Sequence, residues 1–328
     1  MKSLSKVLPL VPGLLLGCDG TSSPPREQRY AVVDDWPALD GLELGQVSGV
    51  GVDSNDDVLV FRRAARTWDG GPVLDDPIDD PTVLQIDSVD GRILVSMAPN
   101  TFVMPHGLTV DANDNLWVTD VGVHQVFKLS STGDELLVLG ERGVSGDDEG
   151  HFDRPTDVAI GGDGSVYVSD GYGNSRVVKF SAEGTFLLEW GTFGSNPGEF
   201  NVPHGIAIDA LGRICVADRG NARVQIFDDM GGYLDTWEGE DYGRPWSLAF
   251  DPTGDAFIVD GGDQVAVPPD RSRIVRTDGE GQIRETFGSY GHDPGQFVWP
   301  HDIAADSHGS VYVVEVSTGM RIQKFTPM

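Results

Sequence analysis

Short apolar runs, in which hydrophobic residues alternate with small or polar ones, recur along the chain between turns rich in Gly, Asn and Asp. Alternation with a period of two marks half-buried strands, and such turns join them into hairpins. One pattern repeats, P-x-x-h-x-h-D followed by a turn and then h-x-V-x-D, where h is apolar. Five copies begin at Pro105 (PHGLTVDANDNLWVTD), Pro155 (PTDVAIGGDGSVYVSD), Pro203 (PHGIAIDALGRICVAD), Pro245 (PWSLAFDPTGDAFIVD) and Pro300 (PHDIAADSHGSVYVVE). A sixth, VSGVGVDSNDDVLVF from Val47, has the same shape without the proline.

A third run follows each hairpin of the five proline copies, as in HQVFKLS, SRVVKFS and ARVQIFD, and a fourth follows in most, as in ELLVLGE and TFLLEWG. Four antiparallel strands make a propeller blade, and the copies recur at about 42 to 55 residues, close to known blade lengths. The expected fold is therefore all-β, a six-bladed β-propeller over residues 29–328. The last copy ends at Met328 after three strands, which leaves an unpaired edge. The strand-like RYAVV, Arg29 to Val33, is expected to supply the missing outer strand and close the ring.

Composition agrees with this. The 43 Gly and 20 Pro are scattered through the chain, as many tight turns require. A net charge of −29 repels phosphate backbones and anionic headgroups, so no nucleic-acid partner is expected. Most carboxylates are expected to form a solvated surface, with a few available to calcium.

The N-terminus, MKSLSKVLPLVPGLLLGC, joins two lysines to an apolar run too short to span a bilayer, the form of an export signal over residues 1–17. Leu15-Leu16-Gly17-Cys18 resembles the bacterial lipobox, which implies cleavage before Cys18 and its acylation; Leu16 is bulkier than usual there, which leaves ordinary secretion open. Residues 18–28, polar and proline-containing, are expected to tether an exported monomer to a membrane solely through that lipid. Cys215, in the strand-like RICVAD, is expected to be a small buried hydrophobe with no disulfide.

His106, His204 and His301 share one slot, directly after the proline that opens copies two, four and six. Around a six-fold ring, alternate blades place them about 120° apart at one height near the axis. Three neutral imidazoles with an open fourth position suit a catalytic zinc ion. Ser48, Thr156 and Trp246 fill the slot in the other copies, and packing against neighbouring inner strands is the alternative role for all six. His124, His151, His292 and His308 share no slot and are expected at the surface. A gluconolactonase-type propeller, with carboxylate and amide ligands suited to calcium, does not predict this histidine set.

ADRGNARVQIF is similar to the VxDxxNxRIxxF signature of the NHL repeat family. LGQVSGVGVD, MPHGLTVD with NLWVTDVGVHQVFKL, RPTDVAI with SDGYGNSRVVKFS, VPHGIAID with ICVADRGNARVQIF, and WPHDIAAD together resemble peptidyl-α-hydroxyglycine α-amidating lyases over most of residues 40–328. The resemblance implies zinc on His106, His204 and His301, an essential tyrosine at Tyr172, and an essential arginine best matched by Arg63, although Arg62 and Arg66 are close by. It also implies calcium on the axis below the zinc, held by Asp302 and the backbone carbonyls of Val50 and Leu108. SDGYGNSRV is one residue longer than ADRGNARV, which is expected to bring the phenol toward the axis. Two positions depart from the family pattern. Gly173 replaces a disulfide-forming cysteine beside the tyrosine, and Trp299 replaces a methionine two residues before the third histidine.

The implied reaction cleaves a small peptidyl- or N-acyl-α-hydroxyglycine to an amide and glyoxylate, with zinc as Lewis acid. Tyr172 is the candidate base, with zinc and Arg63 favouring its phenolate; Arg63 alternatively binds the substrate carboxylate. Two rival functions remain at this point, a non-catalytic NHL propeller that binds peptide or protein at the cell surface and a metal-dependent hydrolase or lactonase.

Overall fold

The computed structural model describes residues 30–71, 73, 75–263 and 271–328; the expected export signal, Cys18 and the tether lie outside the described residues. Strand β1 (Tyr30–Val32) precedes the first repeat. Blade one contains β2 (Val47–Val52), β3 (Val58–Arg62), β4 (Val83–Ile86) and β5 (Ile93–Met97). Blade two contains β6 (Pro105–Val110), β7 (Leu116–Asp120), β8 (Gln125–Leu129) and β9 (Glu135–Leu139). Blade three contains β10 (Asp157–Ile160), β11 (Val166–Asp170), β12 (Arg176–Phe180) and β13 (Phe186–Trp190).

Blade four contains β14 (Pro203–Ile208), β15 (Ile214–Asp218), β16 (Arg223–Phe227) and β17 (Tyr233–Glu238). Blade five contains β18 (Pro245–Phe250), β19 (Ala256–Asp260), β20 (Arg273–Thr277) and β21 (Ile283–Phe287). Blade six contains β22 (Pro300–Ala305), β23 (Val311–Glu315) and β24 (Ile322–Pro327), and its fourth strand is β1. The six-bladed all-β propeller expected from the repeat is what forms, and an Arg219–Asn221 3₁₀ turn is the one helical element among the described residues.

β1 runs antiparallel to β24, pairing Tyr30 with Pro327 and Val32 with Phe325. Tyr30 stacks on Phe287 at 5.5 Å, meets Phe257 edge-on and donates its hydroxyl proton to the Gly309 carbonyl. The core is a ring of six apolar clusters, each shared by two neighbouring blades. One joins Val58, Val60 and Leu84 of blade one to Tyr312, Val314 and Ile322 of blade six, so the ring closes through side chains as well as through β1.

A subset of the carboxylates has structural duties. The Asp that ends the inner strand, at 53, 111, 209, 251 and 306, accepts backbone N–H groups two and four residues on and so builds the tight turn. The acid that ends the second strand is fully buried and ties a blade to its own lead-in segment. Asp218 accepts from Asn201 N–H, Asn221 and Arg223, the last at 2.8 Å, and Glu315 accepts from Val298 N–H and Arg321. These pairs account for the D-x-x-N-x-R part of the repeat, because a buried acid needs both a cation and donors.

In five blades the pairing of the first two strands slips at the opening slot, as between Pro105 and Leu108 and between Pro203 and Ile206. The slip frees backbone groups there to bond to the next blade instead of to the next strand.

Candidate active site

The slip positions the three histidines. His106, His204 and His301 are buried, their ring centroids are 4.7 to 4.9 Å apart, and their ligand nitrogens all lie within 4.8 Å of one another. Each Nδ1 hydrogen-bonds a backbone carbonyl of the following blade: His106 to Thr156 at 2.6 Å, His204 to Trp246 at 2.7 Å and His301 to Ser48 at 2.7 Å. The three carbonyls belong to the residues that fill the same slot in the odd blades, so all six blades orient the imidazoles.

A ring that donates from Nδ1 carries its lone pair on Nε2. Burial is the main force that holds all three well below the usual histidine range. Next in order come His301 and Arg63 for His106, Arg219 and the other two histidines for His204, and Arg63 for His301. Three neutral, buried nitrogen acceptors brought together in this way have the donor chemistry that suits a zinc ion. The carbonyl partners supply the orienting contacts that metal-bound histidines characteristically have.

The Tyr172 hydroxyl sits over the open side, 3.0 Å from His106 Nε2 and 3.1 Å from His204 Nε2. It has one proton for two acceptors, so it donates to one at a time. Its loop is pressed against blade four, where a Cβ on Gly171 would overlap the Pro203 carbonyl. The longer loop thus delivers the phenol to the axis as expected.

Arg63 is the arginine that reaches the site. Its Nε donates to the Pro105 carbonyl at 2.9 Å and its Nη1 to Gln46 at 2.7 Å, and burial lowers its pKa to about 10 against the raising effects of Tyr172 and Asp120. Arg62 instead binds carbonyls of Glu43, Leu44 and Pro81, and Arg66 pairs with Asp76. A second cation, Arg219, was not foreseen. Its guanidinium lies over the rings of Trp246 (4.6 Å) and Tyr172 (5.3 Å), with Nη1 3.5 Å from the phenol oxygen. Trp68, also unforeseen, meets Tyr172 edge-on at 5.2 Å and carries Arg63 over its face. Trp68 stands on a loop outside the repeat pattern, and Arg219 occupies a variable position of the D-x-x-N-x-R turn, so periodicity carries no signal for either.

Val50, Leu108 and Asp302 line an axial cavity of about 320 Å³ on the far side of the histidines. Asp302 accepts from Val50 N–H at 2.9 Å and from Ser247 Oγ at 2.6 Å. Asp157, which sequence reasoning did not single out, faces the same cavity from the opposite blade. Its Oδ2 accepts from Ile206 N–H, while Oδ1 is buried without a partner. Burial, and then the proximity of Asp302, raises the Asp157 pKa well above the carboxylate range; burial likewise raises that of Asp302. An orphaned buried oxygen beside a second carboxylate fits a hard cation such as calcium. The signal was legible, since PTDVAI and PHDIAA carry Asp in one slot of opposite blades.

Cys215 is buried and unpaired, as expected, with its thiol pKa pushed far up by burial. Trp299 packs 6.0 Å from Trp246, which itself lies 5.6 Å from His301. His124 and His151 correct an expectation: both are half-buried, His124 with its Nδ1 accepting the Arg154 N–H and His151 with its Nδ1 against Asp148, while His292 and His308 are exposed as expected.

Peptidyl-alpha-hydroxyglycine alpha-amidating lyase 2 of Drosophila melanogaster is 34% identical over 311 residues, covering 88% of this chain and 72% of that protein. The chain belongs to the peptidyl-α-hydroxyglycine α-amidating lyase family. Peptidylglycine alpha-amidating monooxygenase of Rattus norvegicus is 39% identical over 315 residues and 89% of this chain, and the match spans 31% of that longer relative. The NHL repeat family matches residues 102–129, 152–180 and 200–227. Two solved structures share the fold at low identity. A streptogramin B lyase has a TM-score of 0.58 at 15% identity, with 91% of this chain and 98% of that chain covered. A gluconolactonase of Xanthomonas campestris has a TM-score of 0.62 at 13% identity, with 92% and 90% covered.

Proposed function

We propose that the chain is a zinc-dependent lyase that cleaves a peptidyl- or N-acyl-α-hydroxyglycine into an amide and glyoxylate. The observation that carries this reading is the phenol of Tyr172 poised over three neutral, inward-facing imidazoles, in a chain whose relatives bear the name of that activity.

His106, His204 and His301 would hold zinc, which when bound supplies a Lewis acid that polarises the substrate hydroxyl. Tyr172, as phenolate, takes the hydroxyl proton. The electron pair left on oxygen forms the aldehyde carbonyl, the C–N bond breaks, and the departing amide nitrogen takes that proton back from Tyr172, so the phenolate is regenerated and no water is consumed. Arg63 and Arg219 flank the phenol and give the substrate carboxylate a cationic seat. Calcium is assigned to the lower cavity, with Asp302, Val50 and Leu108 as ligands and Asp157 as a further carboxylate.

Purified protein is expected to release glyoxylate from α-hydroxyhippurate, to stop when a chelator strips the metal and to recover with zinc. Tyr172→Phe is expected to lower kcat by at least about 100-fold, the lower end of the range for a lost acid–base group, and His204→Ala, which removes a metal ligand, is expected to abolish turnover. Undiminished turnover in either variant, or a hydrolysis product in place of glyoxylate, would refute the reading. Export belongs to the same proposal: in a bacterial host, labelled fatty acid is expected on the full chain and not on Cys18→Ala.

A further inference from the structure

We propose that Asp153 and Arg154 form a positioning clasp on the Tyr172–Gly173 peptide that aims the phenol at the histidines. The proposal rests on the role assigned to Tyr172 above. The Tyr172 carbonyl accepts from Arg154 Nη2 at 3.3 Å, and the Gly173 N–H donates to the Asp153 carbonyl at 2.9 Å. These two groups are the ends of one planar peptide unit, so holding both fixes its rotation. That rotation sets where the Tyr172 backbone, and with it the side chain, points.

The clasp is itself braced. The Asp153 carboxylate pairs with Arg154 Nε at 3.3 Å, and the Asp153 N–H donates at 3.0 Å to Asp170, the buried acid that ends β11 on the other side of the loop. Arg154 has a left-handed backbone, φ 61°, stabilised by its N–H donating to His124 Nδ1 at 3.1 Å. Gly173 is required in this arrangement, because a Cβ there would overlap the Asp153 side chain. Gly173 is thus fitted under an acid–arginine pair. Asp153 and Arg154 grip the loop through its backbone, so they are positioning residues.

The test uses the full chain loaded with zinc. Arg154→Ala is expected to lower kcat roughly tenfold or more while KM changes less than about twofold, since a displacement of about 1 Å can cost 10²-fold. Metal content and Tm should stay at wild-type values, added guanidinium ion should restore part of kcat, and hydrogen exchange at the Gly173 amide should accelerate. Arg154→Gln, closer in size, is read the same way if the alanine variant fails to fold. Unchanged kcat with unchanged Gly173 exchange would overturn the clasp. So would a raised KM at constant kcat, which would make Arg154 a substrate contact. If wild-type protein releases no glyoxylate, the lyase reading fails, and Gly173 exchange alone still decides the clasp.

Discussion

His204 shows how much a single residue depends on its surroundings. Burial and the neighbouring Arg219 keep its imidazole neutral in the folded chain, whereas in the unfolded chain it gains a proton near pH 6.5. With its folded pKa depressed, the unfolded state binds more protons, and the contribution of His204 to stability is lost as pH falls below 6.5. In metal-free protein, wild-type stability relative to His204→Gln should therefore fall by about 1.4 kcal/mol per pH unit below that point. Denaturant titrations of both proteins from pH 7 to pH 5 check this, and a pH-independent difference would show that the folded imidazole ionises normally.

Within an element, the recurring acid at the end of the second strand decides whether a blade holds its lead-in. Asp218 is fully buried and depends on Arg223, whose own side chain is 7% exposed. Arg223→Ala leaves the charge of Asp218 without its cation, and breaking such a buried pair costs about 3–5 kcal/mol. Urea denaturation should register that loss. A change under about 1 kcal/mol, the usual size for an exposed pair, would mean that Asn201 N–H and Asn221 satisfy the acid unaided. The motif was visible in ADRGNARV, but its reason was not, because the Asn201 N–H that Asp218 accepts lies in the preceding lead-in segment.

Over the whole molecule, closure is the property that a local change can remove. β1 contributes three residues, yet it covers the edge of β24 and brings Tyr30 onto Phe257 and Phe287. Deleting the chain through Val32 should expose that edge, promote concentration-dependent association and lower Tm. Light scattering and a thermal melt of the truncated protein test this; a monomer with wild-type Tm would show that the cluster joining blades six and one closes the ring alone.

What the sequence determined by itself was whatever repeats. The alternation specified strands, the P-x-x-h-x-h-D pattern specified six blades, and histidine in one slot of every second copy specified a trigonal set on the axis, because an equivalent slot in a ring is an equivalent position in space. Tertiary structure alone decided what the repeat does not encode. It selected Arg63 over Arg62 and Arg66, brought Trp68 to the phenol from an irregular loop and Arg219 from a variable position of the repeat's own turn, and set the Asp157 carboxylate across the axis from Asp302. Those placements depend on where a loop returns after leaving its blade and on which backbone carbonyls the strand slips release, and both are set by contacts between blades.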